Sequence, residues 1–449
     1  PNGTSHPFPG QAVDRSACGQ ASTDADVTSN DGSGMFLHYG IGDPSYVVTV
    51  DGSVIVPGST YTDRNGNRVT TSGYPLIGYT FTDTLGTTVL TTSANSNNPI
   101  NLTYSGPNGS ISAQVHYATK TVQTHFLCSG IVDYGPQTQS LPDTITYPDG
   151  SYYAITYEPT PGVFGAVTGR IASVRLPTGG TITYQYSGGN SGIVCADGST
   201  AGLTRTTPDG TWTYTRNISN PSSPITTVTD PAQNQTVINF AANGGNFYET
   251  SRQEKQGAST VLRTVQTCYN GASTPCDGVA VSIPITRRTV STTLPGVSPS
   301  KVDTFYDSTG RVTETDEYDF GAGTATRKTL ISYASLGNVK SMPSSVTVKD
   351  GSDVTKAQTN YSYDEYTLVA TTGTPQLINP GTVRGNATTI SRLVSGSTFV
   401  TQHLHYYDAG NVQQVLDSLN NGPTYTYGNC GNSFLTQTSL PLTCLIHDS

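Results

Sequence analysis

This chain of 449 residues has little charge, one tryptophan and no long apolar segment. Charged residues make up 12% of it and hydrophobic residues 34%, both low for a globular protein. No stretch approaches the ~18 consecutive apolar residues of a membrane-spanning helix, which excludes a helical membrane protein. Ala, Leu, Lys and Glu are too sparse, against 48 glycines and 27 prolines, for a helical bundle or coiled coil. An all-β protein with many turns remains.

The charge balance excludes two classes of partner. At a net charge of −9, the chain has no Lys/Arg stripe that could neutralise phosphates, so we expect no nucleic-acid partner. The same balance disfavours docking on anionic lipid. Tyrosine occurs 27 times against 11 phenylalanines. Rows of tyrosine on neighbouring strands would pack against each other, or would stack on sugar rings.

Two cysteine pairs lie close in sequence and each brackets a turn. Neither Cys268/Cys276 nor Cys430/Cys444 has the C-x-x-C spacing of a zinc or redox site. Both are predicted to form disulfides, with free buried thiols as the alternative. Disulfides, rare lysine and abundant threonine together predict an extracellular or cell-surface protein. Candidate N-glycosylation sequons are Asn2, Asn101, Asn108, Asn217, Asn234, Asn360 and Asn386.

Three segments are predicted to be β-hairpins with a proline in the turn. Their runs of β-branched or aromatic residues alternate with small polar ones, which is the period of a strand. Proline sets φ at the first central turn position, and glycine tolerates positive φ later. The turns are Pro148-Asp149-Gly150, Pro177-Thr178-Gly179 and Pro208-Asp209-Gly210.

A second unit joins an aromatic strand end, an aspartate and a glycine turn to a returning strand. The aspartate can bond its own backbone, and recurrence of such a unit is typical of repeat architectures. The copies are Tyr61-Thr-Asp63-Arg-Asn-Gly66, Tyr306-Asp307-Ser-Thr-Gly310 and Tyr407-Asp408-Ala-Gly410.

These Y-D-x-x-G-R-V and Y-D-x-G-N-V segments resemble the YD repeats of the RHS family, which also build the teneurin shell. The resemblance covers most of residues 45–440. It implies an all-β fold of long hairpins stacked in one continuous sheet that spirals into a barrel or tube. Members that enclose toxins share a C-terminal D-P-x-G core motif, which this sequence lacks. The resemblance therefore gives no basis for autoproteolysis or a cargo toxin.

We divide the chain into three parts by composition. Residues 1–45 are predicted to be an extended N-terminal strap or linker, 46–440 a hairpin-repeat domain, and 441–449 a C-terminal tail.

Two groups of residues are candidate metal ligands. His403 and His405 share a strand face, but the sequence specifies no third ligand. The N-terminal segment offers oxygen ligands for calcium, but their spacing does not match an EF-hand loop; they are Asp24, Asp26, Asn30 and Asp31. We predict no metal site and no cofactor.

Catalytic motifs are equally sparse. The sequence has no G-x-S-x-G elbow, no P-loop and no G-x-G-x-x-G. Glu314 and Asp316 would share a strand face like the paired carboxylates of a glycosidase, and so would Glu317 and Asp319. All four follow a turn, where solvated residues are expected. We predict that the protein is not an enzyme.

Three functions remain open. The first is a non-enzymatic extracellular scaffold that forms a surface fibre or tube, associates with itself through edge strands and carries glycans. The second is a shell fragment of a larger RHS toxin-delivery or adhesion protein. The third is a polysaccharide-binding or polysaccharide-cleaving β protein.

Overall fold

All regular secondary structure in the described residues is β. The computed structural model describes residues 6, 8–10, 24–29, 32–41, 43–107, 109–243, 246–428 and 444–448. The first strands are β1 (Ala25–Thr28), β2 (Phe36–Tyr39), β3 (Tyr46–Val48), β4 (Val54–Val56), β5 (Thr60–Thr62), β6 (Arg68–Tyr74), β7 (Gly78–Thr82), β8 (Thr88–Thr92), β9 (Ile100–Gly106), β10 (Gly109–Val122), β11 (Gln137–Thr146), β12 (Tyr152–Pro159), β13 (Ala166–Arg175), β14 (Thr181–Tyr186), β15 (Gly202–Thr207) and β16 (Gly210–Asn217).

The remaining strands continue in the same way, and none of the described residues forms an apolar helix of membrane-spanning length. These strands are β17 (Ile225–Thr229), β18 (Gln235–Asn243), β19 (Asn246–Gln256), β20 (Thr260–Tyr269), β21 (Arg287–Thr293), β22 (Ser300–Tyr306), β23 (Val312–Tyr318), β24 (Arg327–Tyr333), β25 (Pro343–Asp350), β26 (Thr355–Tyr363), β27 (Ala387–Ser395), β28 (Thr398–Tyr406), β29 (Val412–Leu416), β30 (Thr424–Gly428) and β31 (Cys444–Asp448).

The strands form one uninterrupted meander. Each pairs antiparallel with the next strand in the chain, from β1 to β31. Short turns are sufficient for most of these connections, because antiparallel neighbours need no crossover; the loop 364–386 between β26 and β27 is a long exception. One further parallel pairing joins β10 to β13. The predicted all-β fold of stacked hairpins in one continuous sheet is confirmed.

The turn 307–311 shows how the chain reverses. The Asp307 N–H donates to the Arg311 carbonyl and the Gly310 N–H to the Asp307 carbonyl, at 2.9 and 3.0 Å. Asp307 Oδ1 accepts the N–H groups of Thr309 and Arg311. Gly310 has φ +78°. This is a type I turn followed by a left-handed residue, the common three-residue hairpin loop.

The proline turns use the same backbone. The Tyr147 N–H donates to Ser151 and the Gly150 N–H to Tyr147, at 2.8 and 2.9 Å, and φ of Gly150 is +82°. Leu176 and Gly179 repeat these two bonds in the next hairpin. The two sequence units therefore encode the same loop conformation. The Y-D unit has an aspartate at the first residue of the loop, and the proline unit has a proline at the second residue.

Two predicted turns depart from this pattern. Gly210 follows a loop of only two residues, because Thr207 pairs with it directly. In the turn 407–411, Tyr407 and not Asp408 takes the first position. Asp408 instead accepts the Thr371 N–H on Oδ1 at 2.7 Å. The shorter Y-D-A-G spacing moves the aspartate one place along, where its carboxylate faces the long loop 364–386.

Tyrosine hydroxyls join neighbouring strands at the end of the pair that lies away from their connection. We call each of these hydrogen bonds a tyrosine clasp. Tyr at the last position of β24, β26 and β28 donates to the carbonyl at the first position of the preceding strand. The pairs are Tyr333 to Val312 at 2.9 Å, Tyr363 to Pro343 at 2.7 Å and Tyr406 to Ala387 at 2.9 Å. Burial raises the pKa of Tyr363 to about 12, so the hydroxyl keeps its proton for this bond. Phenylalanine could not make the clasp.

Few large apolar side chains are buried. The buried apolar residues are mostly alanine, valine and cysteine, and the buried polar ones include Thr250 at 1%, Ser251 at 2% and Asp303 at 1% exposure. Hydrogen bonds from Thr289, Arg287 and Lys301 outweigh the burial of Asp303 and hold the pKa of its carboxyl below the usual range. Satisfied polar groups therefore replace much of a hydrocarbon core.

The two predicted flanking segments contain strands. β1 and β2 lie within 1–45, where the sequence predicts an extended strap, and pair with Val27 opposite Leu37. β31 lies within the predicted tail 441–449 and pairs with β30. Short alternating runs such as these are too brief to stand out in the sequence.

Two disulfides join the described residues. Cys268 and Cys276, a pair predicted from the sequence, are bonded at 2.02 Å. Cys128 and Cys195, 67 residues apart, are also bonded; spacing alone did not indicate this pair. Of the other predicted pair, Cys430 with Cys444, Cys430 lies outside the described residues.

The long-range disulfide should contribute more to stability than the local one. In the loop-closure model, a bridge across 67 residues contributes about 4 kcal/mol and one across 8 about 2.5 kcal/mol. Urea unfolding of Cys128→Ser/Cys195→Ser and of Cys268→Ser/Cys276→Ser measures both losses. A larger loss for the local pair would contradict the entropic explanation.

Candidate functional site

Turns near the start of the sheet contact loops far along the chain. Val50 O accepts the N–H groups of Lys340 and Ser341, at 2.8 and 3.1 Å, and Gly66 O accepts the Ile378 N–H at 3.1 Å. Side-chain bonds across the same contact join residues 278 to 342 positions apart. Because the intervening strands form one meander, the sheet must curl round until its turns meet. We call this contact the seam: turns 32–34, 49–53, 63–67 and 83–87 against 307–311, 334–342, 364–386 and 407–411.

Arg384 is the buried centre of the seam. Its side chain is 4% exposed. Nη1 donates to Asn65 O at 2.9 Å and also to Asp408 O, Nη2 to Asn379 Oδ1 at 3.1 Å, and Nε to Gly381 O at 3.2 Å. Oxygen acceptors from an early turn and two late segments thus satisfy one guanidinium, which offsets the cost of burying it.

Asp364 and Asn386 hold the loop that carries Arg384. The Asp364 carboxylate accepts the N–H groups of Arg384, Gly385 and Asn386 at 2.7 to 3.0 Å. Asn386 is 3% exposed, and its Nδ2 donates to Asn65 Oδ1 at 2.9 Å. A glycan on this candidate sequon is incompatible with the closed seam, since its nitrogen is buried and bonded.

The other sequons differ in accessibility. Asn217 is exposed at the end of β16. Asn101, Asn234 and Asn360 are half-buried, and Asn234 Nδ2 donates to Asp230 Oδ2 at 3.0 Å. Asn2 and Asn108 lie outside the described residues.

Arg311 extends the seam beside the turn 307–311. Nε donates to Asp307 Oδ2 and Nη1 to Lys340 O, both at 2.7 Å, and the guanidinium lies 4.4 Å from the Tyr333 ring centroid. Burial opposes ionisation of Asp307, but hydrogen bonds from Thr309 and Arg311 outweigh it and lower its pKa. The arginine of Y-D-x-x-G-R-V therefore joins its own turn to the loop 334–342.

Turn glycines fall into two sets. A Cβ built on Gly66, Gly310 or Gly410 would lie 1.9 to 2.3 Å from Ile378 O, Gly32 O or Asn65 Nδ2 respectively. A Cβ on Gly150 or Gly179 would meet no heavy atom within 4 Å. The three Y-D glycines are thus needed for close approach at the seam, whereas the other two are needed only for positive φ.

The candidate metal histidines of β28 contact a tyrosine. The Tyr366 hydroxyl bonds His403 Nδ1 at 2.8 Å, and its ring stacks on His405 with centroids 4.3 Å apart. Both imidazoles face this one phenol, so the structure gives them an aromatic packing role.

The candidate carboxylates of β23 share a face as expected. Asp316 lies opposite Asp303 and Lys328, and Glu314 opposite Phe305 and Leu330. Burial, followed by the neighbouring Asp316 carboxylate, raises the pKa of Glu314. Loss of solvent around the carboxyl is therefore the larger cause, and the like charge of Asp316 adds to it.

Comparisons with known proteins do not assign a family. No protein-family model and no curated protein matches the sequence. A solved structure with similarity is the "Crystal Structure of TcdB2-TccC3-TEV", at 10% identity and a TM-score of 0.14, covering 92% of this chain and 29% of that chain. The chain thus spans less than a third of that chain's length. At this TM-score the likeness carries no argument, and the fold rests on the strand pairing.

The two sets of turn glycines give a direct test of the seam. Gly150→Ala should cost about 1 kcal/mol through positive φ alone. Gly310→Ala should cost clearly more, because its Cβ would also lie 2.0 Å from Gly32 O. Urea unfolding measures both losses, and equal losses would mean that the turns do not meet in solution.

The Glu314 carboxyl should reduce stability as pH rises. Because its folded-state pKa is raised, the folded protein binds this proton more tightly than the unfolded chain does. Stability is therefore lost as pH rises through the ordinary glutamate range and beyond. Glu314→Gln should be more stable than the parent at neutral pH, and the gap should close at acidic pH.

Urea unfolding at several pH values measures this gap. The control is Glu317→Gln on the other face, where the carboxylate only approaches the exposed Arg327 at 3.5 Å, a pair of little energetic value. A gap for Glu314→Gln that is constant with pH would refute the interpretation.

Proposed function

We propose that the chain is a non-enzymatic structural scaffold. Its β-repeat sheet closes on itself and forms a wall around a hollow interior. The observation that carries this proposal is the seam, where Arg384 and the Y-D turns join early and late hairpins. A sheet that curls until its turns meet is suited to making a stiff enclosure. Packed polar groups, tyrosine clasps and disulfides support a wall that resists proteases.

We further infer that the protein is extracellular or at the cell surface and that its copies associate with each other. Disulfides persist in oxidising compartments, and two bridges with loops of 67 and 8 residues support an extracellular or cell-surface site. β1 and β31, at the two ends of the meander, would be the strands through which copies pair. Among the sequons that the structure describes, the exposed Asn217 is the best placed to carry a glycan.

A polysaccharide-binding role has weaker support. A groove of about 570 Å³ lies beside Trp212, with Asp230 and Glu254 among its lining residues. The Arg205 guanidinium lies 4.6 Å from the centre of the Trp212 ring, so one face of the indole is already covered. The scaffold proposal accounts for the seam, the tyrosine clasps and the disulfides, whereas a polysaccharide-binding role accounts only for this groove.

The proposal predicts discrete hollow particles that open when the seam is broken. Small-angle scattering and electron microscopy of the full chain should show particles of one size. Arg384→Met should enlarge the radius of gyration and make the loop 364–386 sensitive to protease, because four oxygen acceptors, the buried Asn65 carbonyl among them, lose their donor.

The control is Arg175→Met, which removes a guanidinium lying 4.3 Å from the Tyr152 ring centroid and away from the seam. It should leave both readouts unchanged. Filaments of hollow units would mean that copies pair through β1 and β31, whereas filaments of open sheet would show a fibre subunit in place of a closed wall. An Arg384→Met particle with parental size and protease resistance would show that the seam does not close the sheet.

A further inference from the structure

The first three strands align a histidine between an acidic and an aromatic side chain. His38 of β2 is the cross-strand neighbour of Asp26 on β1 and of Tyr46 on β3. The Tyr46 ring stacks on the imidazole with centroids 4.8 Å apart. The histidine side chain is only 12% exposed, so its ring is held in one orientation.

Carboxylates meet both nitrogens of this ring. Asp26 Oδ1 lies 2.7 Å from Nδ1, and Asp43 Oδ2 lies 3.0 Å from Nε2. Asp24 adds a third carboxylate: ligand atoms of Asp24, His38 and Asp43 all lie within 4.8 Å of one another. Among the described residues, no other group of three or more His, Cys, Asp or Glu side chains lies close enough to hold a metal ion.

Backbone contacts fix the two outer carboxylates. Asp24 Oδ1 accepts the Ile41 N–H at 2.8 Å, which orients the carboxylate. Asp43 packs against Gly40, where an added Cβ would lie 2.0 Å from Asp43 Oδ1. The Gly40 N–H in turn donates to Ser45 Oγ at 3.2 Å.

We propose that Asp24, His38 and Asp43 bind a divalent transition-metal ion, with zinc as the best fit. His38 would ligate through Nε2 while Asp26 accepts the proton on Nδ1, the arrangement by which carboxylates orient metal-bound histidines. One imidazole and two carboxylates are a donor set for zinc with a coordination position left for water. Calcium would need six to eight oxygens.

The site would anchor an edge of the sheet. Asp24 directly precedes β1, whose ladder with β2 spans only Ala25 to Thr28. A metal ion shared by Asp24, His38 and Asp43 would fasten this short strand to the segment between β2 and β3.

Isothermal titration of the chelator-treated full chain with zinc chloride tests the site. His38→Gln should remove one zinc ion per chain, and Asp26→Asn should weaken that site by roughly 10- to 100-fold. The matched control is His116→Gln, because His116 has a single carboxylate partner, Asp143 at 2.5 Å. That variant should bind zinc like the parent.

A second variant guards against misfolding. Asp24 lies outside the strands, so Asp24→Asn should weaken zinc binding while the circular dichroism spectrum stays parental. The proposal is overturned if the parent binds no zinc, or if His38→Gln and Asp24→Asn both bind it like the parent. The cluster would then be a histidine held by carboxylates without a metal.

Discussion

The hydrogen-bonded turn that reverses the chain is the constraint on which the other features depend. A sheet with few buried apolar side chains keeps its order only if each strand returns in register, and turn geometry fixes that register. A slip of one residue would send every side chain to the opposite face. Thr289 and Asp303, which lie side by side on β21 and β22, would then lose the hydrogen bonds that make the burial of the Asp303 carboxylate tolerable.

The same turn geometry makes closure of the sheet feasible. The left-handed residue of each turn is commonly glycine, and a residue without Cβ lets another backbone approach. Gly310 against Gly32 and Gly66 against Ile378 use this freedom, so one residue type serves both local reversal and long-range contact. Arg384 then supplies the donors that the meeting carbonyls require. The seam is therefore joined by hydrogen bonds to backbone and asparagine oxygens, and it requires little apolar area.

The sequence predicts what is local and misses what is distant. The alternation of residues and the turn signals at Gly150 and Gly310 were sufficient for the all-β fold and the hairpins. Both turn motifs predict a glycine with positive φ, but neither indicates that Gly310 meets another turn while Gly150 has open space around it. Arg384 stands in a long loop without a motif, and Cys128 and Cys195 are 67 residues apart. The sequence does not group His38 and Asp43 with Asp24, because the pairing of β1 with β2 and the connection that follows β2 bring them together.

The excess of tyrosine over phenylalanine follows from the missing core. In a hydrocarbon core, burying the tyrosine hydroxyl costs free energy, because the hydroxyl needs a hydrogen-bond partner. At the end of a strand pair, the Tyr333 and Tyr363 hydroxyls donate to the first carbonyl of the preceding strand, at Val312 and Pro343. Each of these hydroxyls bonds the two strands of a pair to each other at the end away from their connection. A clasp of this kind couples adjacent strands, so loss of order at one turn should spread along the meander instead of remaining local.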